Sequence, residues 1–341
     1  GGEIKINAQY VTLNAGGIIS VSTSGEGNAG KLTLTVADTL LITGESSIIN
    51  PSRILSETLS AGTGGEVEIN AQQIKLEAGG GISASTHGES QGGNLALTSN
   101  TLLVTQGTIS AESLNNGGGS AGSITITTKD NIRLQNQGRI STQTDGASGG
   151  NISITTAGLL HLTDSEITTS VRAHQGHGGN IMLNPLFIVL DDSNIIAQAV
   201  EGDGGNMNIE TNNIYVFPSD IFPQTDHQER LDEAVNASSQ LGIDGVITVN
   251  SPDINIGETL VILSSTLIDA SDQLRKCIAT ALSERNHFYV KRLPKHLQAL
   301  DDLKPSRLLL VQTEESEAHK ADSTQSSPKL AWLTGCRRDQ P

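Results

Sequence analysis

Asp191-Asp192 and Gly176-His177-Gly178 are the two places in this sequence where residue types and spacing suit chemistry. Two carboxylates flanking a glycosidic bond can hydrolyse it, one as acid and the other as base or nucleophile. His177 falls with Arg172 and His174 in a polar loop that is individual to its part of the chain. Two imidazoles can begin a metal site, but a third ligand is needed and none stands near. Asp191-Asp192 also aligns with Asp164-Ser165 one repeat earlier, which makes it a turn. Asp203 follows Gly202 in a Gly-rich corner, yet the repeated Gly-Gly-x-Gly-x-Asp pattern of calcium-binding β-rolls is missing. No Ser-His-Asp set, phosphate loop or cofactor fingerprint is written here. The sequence thus assigns no catalytic, metal or cofactor residue. It leaves Arg172, His174 and His177 as a candidate variable binding loop.

The elements that must position these residues are repeats. Glycines open successive units at Gly2, Gly30, Gly65, Gly93, Gly122, Gly150, Gly179 and Gly205, at intervals of 28, 35, 28, 29, 28, 29 and 26. An insertion around 49–53 accounts for the 35. Each unit starts with an alternating aliphatic pair, such as Ile124/Ile126 or Ile152/Ile154. A second pair follows, such as Ile132/Leu134 or Leu160/Leu162. A third run carries one aliphatic: Ile19, Ile48, Ile82, Ile109, Ile140, Ile167 and Ile195. Period two over a short run is a half-buried strand. Three short strands per unit, with no room for a helix, must turn three corners and return one layer up. The sequence predicts an all-β, right-handed parallel β-helix of about 28-residue coils, eight or nine layers tall at the ~4.8 Å strand spacing. Propeller blades are longer and carry their own motifs. Asn94, Asn151, Asn180 and Asn206 recur at one corner and predict a structural ladder of stacked amides. The neighbouring glycines are expected to supply the positive φ of a sharp corner.

Composition agrees. Gly numbers 37, aromatics make up 2% and Trp occurs once, while Ser, Thr and Asn abound. The pattern breaks after Val216. Residues 1–216 read as β-helix repeats. Residues 217–244 read as an insertion with a short helix, capped by Thr225 or Asp226. Residues 245–277 read as a closing coil and cap, and 278–341 as a basic, then disordered, tail. Residues 1–270 carry 28 acidic and 9 basic side chains, a balance of −19, within a whole-chain charge of −16. Such a body disfavours nucleic acid, whose binders must neutralise phosphates. The basic cluster over 275–296 reads as a solvated capping helix, with contact to acidic polymers or membranes as the alternative. No run of about 18 apolar residues suggests a transmembrane helix. Cys277 and Cys336 can pair or stay free; two cysteines do not make a disulfide scaffold. Gly1 opens inside a repeat, so the sequence reads as a piece of a longer chain with any export signal upstream.

Two features carry a family likeness. The Gly-Gly-Asn-Leu/Ile-x-Leu/Ile units, with runs such as Ile82-Ser83-Ala84-Ser85-Thr86, resemble the repeats of filamentous-haemagglutinin-like large exoproteins, especially those abundant in cyanobacteria. The stretch Asn236-Ala237-Ser238-Ser239-Gln240-Leu241-Gly242-Ile243-Asp244-Gly245-Val246-Ile247-Thr248-Val249-Asn250-Ser251-Pro252-Asp253 is similar to the segment closing their repeat region. So is Leu267-Ile268-Asp269-Ala270-Ser271, followed by Cys277. The resemblance covers about 1–277. It implies two-partner secretion, in which an upstream N-terminal domain engages an outer-membrane transporter. Residues 278–341 depart from the family, whose tail is Gly/Pro-rich.

The function expected is that of a secreted or surface-displayed, non-enzymatic exoprotein segment without cofactor. It would act in adhesion to glycans or cell surfaces through many weak contacts. One alternative is a β-helix polysaccharide lyase or hydrolase. Against it, the polygalacturonase-type Asp-Asp and Gly-His-Gly elements occur in inverted order and their companion motifs are missing. The other alternative is a passive spacer.

Overall fold

Aliphatic residues alternating with polar ones form strands, and stacking them buries one face of each layer against the next. The structure, a computed structural model, describes residues 1–44, 51–114, 118–172, 176–217 and 227–251. They wind into a parallel β-solenoid with coils of roughly 28 residues. The first row runs Glu3–Ala8, Lys31–Thr43, Glu66–Glu77, Asn94–Ser99, Ile124–Thr128, Ile152–Thr163, Ile181–Asp191, Met207–Glu210 and Ile247–Asn250. The second run of each coil joins the same sheet. Between Val36 and Thr39, and between Thr156 and Leu159, a register shift bends one long strand around the corner. The third run makes a separate sheet of eight strands, from Ile18–Ser20 to Val235–Asn236.

Registry is like on like. Ile19, Ile54, Ile82, Ile109, Ile140, Ile167, Ile195 and Val235 stack in one ladder. From Ile54 to Ile195 its members are fully buried, and each is worth about 1.5–3 kcal/mol of apolar transfer. One expected rung was misplaced. Ile48 lies outside the described residues, and Ile54 fills the ladder in that coil. The extra residues therefore precede the third strand, and Arg53 belongs to it.

The glycine opening each layer is required by close approach, which corrects the expectation of a positive φ. Among the described glycines only Gly16 and Gly79 have positive φ. A Cβ at Gly122 would lie 1.7 Å from the carbonyl oxygen of Gly93, and one at Gly150 would lie 1.7 Å from that of Gly122. Gly30, Gly65, Gly93, Gly179, Gly205 and Gly245 meet the preceding layer's glycine oxygen at 1.9 to 2.1 Å. Buried hydroxyls hold this seam. Ser56, Thr142 and Thr169 each donate to a seam carbonyl, of Gly30, Gly150 and Gly179, at 2.7 Å.

The left-handed positions fall elsewhere, at the turn from second to third run. Ala15, Ala78, Gln106, Asp164 and Asp192 have φ between 46° and 52°. Asp192 is thus the counterpart of Asp164. Asp191 is the last residue of its strand and pairs with Thr163. The turn reading of this acidic pair holds, one position displaced. A left-handed residue with a Cβ costs about 1–2 kcal/mol. Ala78→Gly should therefore stabilise the protein by about 1 kcal/mol in urea melts. Asp164→Gly should gain less, because Asp tolerates this region better than Ala. Destabilisation by Ala78→Gly would contradict the assignment.

The helix occupies His227–Ala234 and packs on the last coils, with Ala234 buried and Leu231 half-buried against the core. It ends where Val235–Asn236 pairs with Ile195–Ile196 as the next strand of the third sheet. The stretch 217–244 is therefore a corner excursion followed by a regular solenoid strand. Thr225 and Asp226 lie outside the described residues, as do the closing coil and cap beyond 251, the 275–296 cluster and 278–341.

Candidate functional site

Immediately after each ladder isoleucine the chain bends inward, and this bend shapes the site. In an extended strand, side chains two positions apart are separated by about 7 Å. Here Ser83 Oγ lies 3.0 Å from Ser85 Oγ, and Thr168 Oγ1 lies 3.0 Å from Ser170 Oγ. The outward faces of the third strand and of the following corner therefore meet at an elbow. That corner has its own ladder of single bridges, Thr23, Thr58, Thr86, Ser113, Thr144 and Val171. The elbow repeats in layer after layer and makes a trench along this side of the solenoid.

Two outward columns line the trench. The first reads Leu55, Ser83, Ser110, Ser141, Thr168 and Ile196. The second, two positions later, reads Glu57, Ser85, Glu112, Gln143, Ser170 and Gln198. Although they face away from the core, Ser141 and Thr168 are fully buried and Gln143 is only 6% exposed. These groups satisfy one another across layers. Ser83 donates to a Glu57 carboxylate oxygen, and Ser141 does the same to Glu112. The Glu112 N–H donates to Ser85 Oγ at 3.0 Å. Gln143 Nε2 donates to Thr168 Oγ1 at 3.1 Å, and Gln198 Nε2 donates to Ser238 Oγ at 3.1 Å. Near Arg53, Glu57, His87 and Glu112 the trench deepens to a cavity of about 250 Å³. No Phe, Tyr or Trp lines that cavity among the described residues.

The expected site residues are divided. Arg172 Nη2 reaches into the trench and donates to Gln143 Oε1, and Arg139 Nη2 donates to the same oxygen. His177 is engaged at the Gly-rich corner. Its Nδ1 accepts the Asp203 N–H at 3.1 Å and lies 3.4 Å from the Asp203 carboxylate. His174 lies outside the described residues, as do Cys277 and Cys336. The four asparagines form a ladder different from the one expected. Asn94 Oδ1 accepts the backbone N–H of Ser123, Asn151 that of Asn180, Asn180 that of Asn206, and Asn206 that of Val246, at 2.9 to 3.0 Å. The contact runs from the amide oxygen to the backbone N–H of the next layer, not from amide to amide. Asn28 does the same for Thr63, and Asn131 for Leu159.

The trench itself escaped the sequence reading, since Ser, Gln and Glu at alternate positions look like a solvated face. A usable signal was present: polar residues one and three places after Ile82, Ile109, Ile140 and Ile167, with small buried residues between them. Among the described residues no group of three His, Cys, Asp or Glu is arranged to hold a metal ion. Among them also, no helix is long and apolar enough to cross a membrane. Comparison with protein-family models, curated proteins and solved structures finds nothing that matches this chain. The family likeness rests on sequence segments, and a β-solenoid by itself does not specify function.

Proposed function

We propose that this chain is a displayed, non-enzymatic solenoid that holds extended saccharide chains in its trench and serves attachment. The observation that carries this reading is the trench. Consecutive layers carry hydroxyls and carboxamides that donate and accept, and carboxylates that accept. Their neighbours already fix them, so little ordering entropy is lost on binding. The layer pitch of about 4.8 Å is close to the advance of one sugar unit in an extended chain. Each layer adds a weak contact, and the contacts add through multivalency. The resemblance to filamentous-haemagglutinin-like exoproteins supports the same reading. It extends the proposal to a secreted or cell-surface protein, exported by an outer-membrane transporter that engages an N-terminal domain.

The test is binding of the full chain to an oligosaccharide array, with Ser85→Leu as the blocked variant. We expect micromolar to millimolar binding to extended glycans, weakened roughly tenfold by the loss of about 1.4 kcal/mol of trench contact. Absence of glycan binding would leave a spacer. A second reading, cleavage, has one observation behind it. Glu57 and Glu112 face the same trench two layers apart, about 10 Å by strand spacing, near the separation of inverting glycosidases. Release of new reducing ends, abolished by Glu57→Gln, would establish that reading instead.

A further inference from the structure

We infer that the Arg139–Gln143–Arg172 bridge is a subsite for an isolated carboxylate on a saccharide lying in the trench. This inference rests on the trench reading. Two guanidinium groups donate to one neutral oxygen, Gln143 Oε1. Like charges gathered on a neutral acceptor repel each other, and an anion between them relieves the repulsion. Gln143 is built into the wall: it is 6% exposed, and its other end is fixed by Thr168. The amide orientation is therefore set, and so is the approach of both arginines.

A second observation points the same way. Arg139 Nε is buried without a hydrogen-bond partner. Glu166 comes no nearer to it than 3.8 Å, which is an ion-pair distance beyond hydrogen bonding. Among the described residues no carboxylate forms an ion pair with Arg172. Each guanidinium has five N–H donors, and only a carboxylate-like acceptor uses them in pairs.

The surroundings narrow the ligand class. Glu112 and Glu166 lie along the same stretch, and Asp145 holds the position of Arg172 one layer earlier. The 1–270 body as a whole is strongly acidic. A densely charged polymer would be repelled, whereas a single carboxylate on an otherwise neutral chain would reach the pair. The ligand class is thus a sparsely acidic glycan.

The experiment uses the full chain and short oligosaccharides carrying one carboxylate, from glucuronate, galacturonate or sialate, each beside its methyl ester. A monosulfated analogue and a polysulfated glycan complete the set. At least one acid should bind roughly tenfold tighter than its ester, the worth of one charge-assisted hydrogen bond. Arg172→Gln should erase that difference without lowering the melting temperature. Arg172→Lys should restore part of it, and Glu166→Gln should enlarge it. Equal binding of acid and ester, or a preference that survives Arg172→Gln, would overturn the subsite while leaving the trench reading intact. Equal binding of the monosulfate would overturn the carboxylate assignment. Preference for the polysulfated glycan would overturn the sparse-charge argument. No binding of any glycan would overturn the subsite and the trench reading together.

Discussion

Gly150→Ala should lower unfolding free energy by on the order of 3–5 kcal/mol, among the largest single-methyl effects a soluble protein shows. The added carbon would lie 1.7 Å from the Gly122 carbonyl oxygen and 3.0 Å from Thr142 Cβ. Both obstacles belong to the scaffold, so no side-chain rotation relieves them. The layer must separate from its neighbour, and the Thr142 hydrogen bond to the Gly150 carbonyl goes with it. Gly27→Ala is the control, because nothing lies within 4 Å of its added Cβ; it should change stability by no more than about 0.5 kcal/mol. Urea melts followed by far-UV circular dichroism decide the matter. Equal midpoints for the two variants would show that the seam tolerates a methyl group and that the close approach is not what selects glycine.

Ile140→Ala should cost about 3–4 kcal/mol, the middle of the range for a buried Ile-to-Ala change. Ile140 is fully buried and stacks between Ile109 and Ile167. Close neighbours on both sides leave the site little freedom to collapse. Val235→Ala, at the last described rung with only Ile195 beside it in the sheet, should cost about 1–2 kcal/mol. In a stack where each coil touches only its neighbours, the damage stays local. Hydrogen exchange should accelerate most in 108–110, 139–141 and 166–168. Uniform acceleration along the solenoid would refute nearest-neighbour coupling.

Much of this architecture could be read directly from the chain. Pairs such as Ile124/Ile126 and Leu160/Leu162 sit at the same offset in coil after coil, and like positions stack. Errors arose where the spacing was interrupted. Ile48 fitted the offset, but six further residues carried the strand to Ile54. Val235 read as part of the 217–244 insertion, because the excursion before it hid its place in the ladder. The glycines were located correctly for the wrong physical reason, since a one-dimensional pattern does not reveal which atom of the layer below lies against a Cα. The trench was the least legible feature. Whether Ser83 and Ser85 point apart or toward each other depends on a backbone bend. The 3.0 Å contact between them is a fact of three dimensions.

The bonds that join layers all span about one coil. Asn151 to Asn180 is 29 positions, Thr128 to Thr156 is 28 and Asn180 to Asn206 is 26. The loop that must close to add a coil is therefore nearly the same size at every step, and so is its entropic cost. Growth of such a stack resembles a ratchet: one slow nucleation, then identical increments on the last completed edge, at a pace independent of total length. A chain supplied end-first can be wound as fast as it arrives. The exceptions are the lengthened coil before Arg53, where the bond from Asn28 to Thr63 spans 35 positions, and the step across 218–234, where the bond from Asn206 to Val246 spans 40 positions and a helix must form before the next strand can dock. Winding should pause there.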